Sequence, residues 1–226
     1  MSKTFRQRRQ DPHRNPLGFS LIEMMLAMSL GIGLSGAILQ LLISESDLGL
    51  RVNRLLRERS VQKRTLALIR DDVRRASRIS TNPLLEQHAC SLSGRLPVLH
   101  LTTDSGPITY SIGTPPSAIW RGQVLMRCGP AFDLTGQPSG ATTTANRVLI
   151  DRLARNPDRW KGCPALLGQT EEDIEDLGSS SNRGFAACLE VHQGINKLGL
   201  RLLQEFPDAQ GHSQAIESER FIDNLT

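Results

Sequence analysis

Three hydrophobic patterns follow one another along the chain. Positions 19–43 form an apolar run interrupted by a single ionisable residue, Glu23. Rising ~1.5 Å per residue as a helix, that run reaches across the ~30 Å hydrocarbon core of a bilayer, so a membrane span over 19–43 is expected. Beyond Ser44, apolar residues recur at Leu48, Val52 and Leu55, then at Leu66, Ile69, Val73 and Ala76, in alternating steps of four and three. This spacing predicts an amphipathic continuation of the helix over 44–80, stopped by Ser80-Thr81-Asn82-Pro83. The stripe is interrupted at Arg59 and Gln62, where a coiled coil would place apolar groups.

The third pattern occupies 81–226, a length that suits one compact domain. Leu96–Thr102, Ile108–Ile112, Ala118–Met126, Arg147–Arg152, Phe185–His192 and Lys197–Phe206 are short apolar or alternating runs. Ile108-Thr-Tyr110-Ser-Ile112 and Leu198-Gly-Leu200-Arg-Leu202 alternate strictly, which predicts strands with one buried face. Asp104-Ser105-Gly106-Pro107 and Gln193-Gly194-Ile195-Asn196 read as hairpin turns. A β-rich head whose sheet lies on the apolar stripe of the helix would bury both surfaces, giving an α+β fold. Thr135–Ala145 reads as an exposed loop. Thr170-Glu-Glu-Asp-Ile-Glu-Asp176 reads as an acidic helix start capped by Thr170 with Asp173; its carboxylates lack the spacing and turn glycine of a calcium loop.

Charge sharpens this division. The formal net charge of +4 is supplied by residues 1–18, where Lys3, Arg6, Arg8, Arg9 and Arg14 face Asp11 alone. Residues 51–78 carry ten Lys/Arg and three acids, whereas residues 79–226 carry twelve and sixteen, so a basic stalk precedes a mildly acidic head. The stalk arginines read as a solvated face. Direct nucleic-acid binding is not expected, because Tyr110, Trp120 and Trp160 are too scattered for a stacking platform.

A carboxylate inside an apolar span costs roughly 3 kcal/mol or more, so Glu23 calls for a partner. A cut before Phe19 would create one, a new amino terminus one helical turn away. Gly31-Ile-Gly33-Leu-Ser-Gly36 spells a dinucleotide fingerprint, but inside a membrane helix it lacks the strand and turn that this chemistry needs. Ala27, Gly31 and Ser35, and Ser29, Gly33 and Ala37, instead have the small-residue spacing that lets membrane helices approach closely.

The segment Gly18-Phe19-Ser20-Leu21-Ile22-Glu23, preceded by a short basic leader and followed by some twenty apolar residues, resembles the class III signal of type IV prepilins and type II secretion pseudopilins. The resemblance covers the first 45 residues or so. It implies a type IV pilin-like fold, a leader of residues 1–18, cleavage between Gly18 and Phe19 by a prepilin peptidase, and N-methylation of Phe19. It further implies that Glu23 pairs with the amine of an adjacent subunit during assembly. The partners would be other pilins, reached through the N-terminal helix, and an inner-membrane assembly platform. The location implied is the bacterial inner membrane with a cytoplasmic N-terminus, then the periplasm or pilus. Ile108-Thr-Tyr110-Ser-Ile112 followed by Ile119-Trp120-Arg121 resembles the larger minor pilins of the PilW type and the J-type pseudopilins.

Four cysteines, Cys90, Cys128, Cys163 and Cys188, lie beyond the span without a C-x-x-C pair. In a domain outside the cytoplasm an even count predicts two disulfides, for which three connectivities exist. Cys90–Cys128 with Cys163–Cys188 is favoured because each closes a short loop; zinc, the rival, lacks close ligand pairs. The histidines at 13, 88, 100, 192 and 212 lack the spacing of a helical metal site. No nucleophile elbow or phosphate loop occurs, so neither an enzyme nor a cofactor is expected.

Overall fold

The structure, a computed structural model, describes residues 20–133, 135–139, 144–155, 160–168, 174–177, 184–192, 195–207 and 213–223. The chain falls into two compact units, Met1–Asn53 and Arg54–Thr226. The boundary lies inside helix α1, Leu21–Arg74, whose 54 residues are unbroken.

In the first unit, α1 opens with Ser20 ahead of its first turn and Glu23 within that turn. Leu21–Leu42, with a mean hydropathy of 1.8 and no buried residue, is long and apolar enough to cross a membrane. At ~1.5 Å per residue it spans about 33 Å. Gly31, Gly33 and Gly36 all lie within the helix, with open space where a side chain would project. The dinucleotide-like spacing therefore has no loop to act in.

The second unit is α+β. Nine strands, β1 (Ala76–Ile79), β2 (Leu96–Thr103), β3 (Gly106–Gly113), β4 (Gln123–Pro130), β5 (Thr144–Leu153), β6 (Ile174–Asp176), β7 (Phe185–His192), β8 (Ile195–Pro207) and β9 (Ser213–Ile222), form one sheet in the described residues. Its order is β1-β2-β3-β4-β5-β8-β7-β6, with β9 also on β8, and every pairing is antiparallel. A short helix, α2 (Cys163–Leu167), precedes β6. Leu66, Ile69 and Val73 of α1 join Tyr110, Ile112, Leu125, Phe185, Leu198, Leu200 and Leu202 in a single buried cluster. The stretch of the helix from Val61 to Val73 therefore lies on the sheet.

Several expectations change. The helix ends at Arg74 rather than at residue 80, because Ala76–Ile79 pairs with Leu101–Thr103 and satisfies its backbone in a ladder instead. Ala118–Met126 is not one strand. Trp120 closes a turn on Ser117, Gly122 takes φ 68, and the strand starts at Gln123. Of the acidic segment, Thr170–Asp173 lies outside the described residues, whereas Ile174–Asp176 is a strand paired with Cys188–Glu190 rather than part of a helix. Strand β9 was not signalled.

The alternating strands are also covered on both faces. Tyr110 faces α1, so its neighbours Thr109 and Ser111 point the other way, yet both are buried. His88 reaches Thr109, and a disulfide joins Cys90 to Cys128, so the segment before β2 crosses this outer face. On β8, Leu198, Leu200 and Leu202 face α1 while Gly199 and Arg201 face outward. There Cys163 is bonded to Cys188, and α2 packs so closely that a Cβ on Gly199 would stand 2.9 Å from Leu167. Each disulfide thus fastens one segment onto the side of the sheet away from α1.

Candidate functional site

Gly18 and Phe19, the expected cleavage and methylation positions, lie outside the described residues. Glu23 is exposed, and its Oε2 accepts a hydrogen bond of 3.0 Å from the backbone N–H of Ser20. This is half of a capping box: Ser20 stands before the first turn, and the acid three residues later returns to its amide. The helix dipole adds to the effect, since carboxylates are favoured in a first turn. Within one chain, then, Glu23 has a local partner that uses one of its two carboxylate oxygens. The S-x-x-E spacing was visible in the sequence and carries this signal independently of any amine.

Two buried polar clasps hold α1 to the sheet. Asp72, 1 % exposed, accepts from Tyr110 Oη at 2.5 Å and from Arg127 Nε at 2.6 Å and Nη2 at 3.2 Å. Arg127 also donates to the carbonyl of Pro130 at 3.1 Å and lies over the ring of Phe132. Burial, reinforced by the Asp72 charge, pushes Tyr110 well above the ordinary range for a phenol. Burial opposes the charge on Arg127, but the Asp72 carboxylate outweighs it and holds the guanidinium above its usual value.

The second clasp is Gln62, which is wholly buried. Its amide donates to Gln204 Oε1 at 2.9 Å and to the carbonyl of Ile216 at 3.0 Å, and Ser218 donates to its Oε1 at 2.6 Å. The interruption of the stripe at Gln62 is therefore a contact rather than a defect. Arg59, the other interruption, is exposed, and Arg54 and Arg152 both stand over the ring of Phe206.

No family model, curated protein or solved structure matches this chain.

The five histidines divide by position. His13 and His212 lie outside the described residues, as does the side chain of His192. His88 and His100 come together under the segment before β2, their rings 5.7 Å apart, each with Nδ1 on the hydroxyl of Thr109. Burial lowers both below the ordinary imidazole value, against the pull of Glu86, whose carboxylate stands 4.0 Å from His100. Glu86 is itself held low, chiefly by a hydrogen bond from Ser80 and then by Arg78. No group of three His, Cys, Asp or Glu that could hold a metal occurs among the described residues.

Sequence reasoning missed Asp72 and Gln62 as clasps. Their partners lie 38 to 156 positions away, so only the fold unites them.

Proposed function

We propose that the chain is a minor type IV prepilin, a structural subunit of a type IV pilus or of its initiation complex. It inserts with residues 1–18 in the cytoplasm, is cut between Gly18 and Phe19, is methylated on Phe19, and packs by its helix among other pilins. The observation that carries this reading is the Gly18–Glu23 motif at the head of an unbroken helix whose first 22 residues are apolar and exposed. Such a surface exchanges lipid for neighbouring helices without exposing new apolar area to water, and the small residues at Ala27, Gly31 and Ser35 permit close approach.

Glu23 sets the axial register in this scheme. Its bond to the Ser20 amide occupies one carboxylate oxygen. The Phe19 amine of a neighbouring subunit, freed by cleavage, would meet the other. The resulting ion pair would offset the cost of a carboxylate at that depth. The head supplies surface rather than chemistry, and its two disulfides suit an oxidising compartment. A J-type pseudopilin would follow the same steps.

Intact-mass measurement of the membrane form tests the proposal. The expected mass is that of residues 19–226 plus one methyl group. The mass of the whole chain would overturn it and leave a single-pass membrane protein with a folded head outside the cytoplasm.

A further inference from the structure

An open groove of about 750 Å³ lies on the outer face of the sheet. Met126, two residues from Cys128 and therefore on the same face of β4, lines it together with its cross-strand partner Val148. Trp120 and the Thr114-Pro115-Pro116 segment also border it, as do Ser93, Arg95, Asn146 and Arg147; among the described residues no acid does.

Arg95 is the exceptional member. It is only 7 % exposed, its Nη2 makes one long bond of 3.4 Å to the carbonyl of Ser91, and its Nε has no partner. Among the described residues no ion pair includes it. Arginine is almost never buried without a counter-charge, because desolvating an unpaired guanidinium is costly. The local chain nevertheless holds it in place. Ser93 and Gly94 both take positive φ, 50° and 77°, and turn the chain into Arg95. Its stem then lies flat on Gly113, where even a Cβ would come within 2.7 Å of its Cγ. A buried cation with no ion-pair partner among the described residues, on the wall of an open groove, offers its charge to an anion.

The other lining groups narrow the class. A guanidinium fork fits a carboxylate. A half-buried indole with two prolines, beside hydroxyl and amide groups, suits a ligand with one apolar face and a polar edge. We infer that this groove binds an acidic sugar, its carboxylate on Arg95, its ring face against Trp120 and its hydroxyls on Ser93, Thr114 and Asn146. The site belongs to the head alone and stands whether or not the chain is a pilus subunit.

The test is a fluorescence titration of the full chain in detergent. Trp160→Phe leaves Trp120 as the sole indole, since the chain has two. Tetragalacturonate should change the emission saturably, and neutral maltotetraose should bind at least about tenfold more weakly, the loss expected when a buried charge loses its partner. Arg95→Gln should weaken tetragalacturonate by a similar factor. Because Arg95 is buried, Asn146→Asp provides a second variant at an exposed position. The Asn146 amide and the Arg95 guanidinium both reach the Ser91 carbonyl at 3.4 Å, so a carboxylate at 146 competes for Arg95. Asn146→Asp should therefore also weaken binding about tenfold, with an unchanged circular dichroism spectrum. The inference is overturned by the absence of saturable binding, by equal affinity for the neutral oligosaccharide, by sulfate binding as tightly as tetragalacturonate, or by an unaffected Asn146→Asp.

Discussion

Replacing Asp72 with alanine removes three hydrogen bonds and the only acid in contact with Arg127 among the described residues. The guanidinium, 4 % exposed, would keep only the Pro130 carbonyl and the face of Phe132, and the Tyr110 hydroxyl would lose its acceptor. Breaking a buried pair in this way costs about 3–5 kcal/mol. A domain of this size has only about 5–15 kcal/mol in total. For 150–250 residues each kcal/mol moves Tm by about 2–4 °C, so a fall of roughly 6–20 °C is expected. Urea unfolding of the full chain in detergent, with the disulfides oxidised and tryptophan emission as the probe, should show a lower midpoint at unchanged slope. The double variant Asp72→Leu with Arg127→Met leaves no stranded charge and should recover most of the loss. Asp72→Ala within about 1 kcal/mol of the parent, or no better recovery in the double variant, would refute the account, because the pair would then behave like a solvated surface bridge.

Three further outcomes follow from the structure, and a fourth from the proposed cleavage and assembly. Gln62→Leu completes the apolar stripe that a coiled coil would want, yet it should destabilise the head by about 1–3 kcal/mol by stranding buried polar partners, which the same unfolding assay reads. Mutating Cys163 and Cys188 together to alanine opens a 25-residue separation and should cost about 3.5 kcal/mol by loop entropy; the corresponding figure for Cys90 and Cys128, 38 apart, is about 4 kcal/mol. Because His88 and His100 are both lowered by burial, the unfolded chain binds more protons below its histidine value of about 6.5. Their contribution to Tm should be flat above pH 7 and should fall as pH drops below that value; His88→Gln should shallow the fall, and a slope unchanged by that variant would exclude His88 as a cause. Gly18→Leu should leave the membrane form at its full encoded mass, whereas Glu23→Ala should be cleaved yet incorporate poorly, as seen by comparing the mass of the membrane form with the content of sheared filaments.

The strands that the sequence reveals are those with steady alternation, such as Ile108–Ile112 and Lys197–Phe206, because one face of each must bury apolar groups against α1. Strand β9 was hidden for the opposite reason: Ser213–Ile222 buries only Ile216 and Ile222 and reads as a charged surface segment. Strand β1 was hidden because Ala76 and Ile79 also fit a helical step, and only pairing with Leu101–Thr103 decides between the two. The outer-face cover was illegible in principle, since nothing in Thr109 or Gly199 announces that a distant segment will cross it. The same holds for Arg95, whose burial depends on Gly113 across the hairpin. Glu23 is the exception among the polar residues, because its partner is local and its spacing is a known cap.

Gln62 and Asp72 stand ten positions apart on one helix, a separation of about 15 Å. Their clasps grip the sheet at two points along the same axis, so α1 can neither slip by a residue nor roll without releasing both together. A tug entering the head at Arg54 therefore meets simultaneous rather than sequential rupture, and the buried stretch of helix resists extraction as a bolted rod does rather than as a greased one.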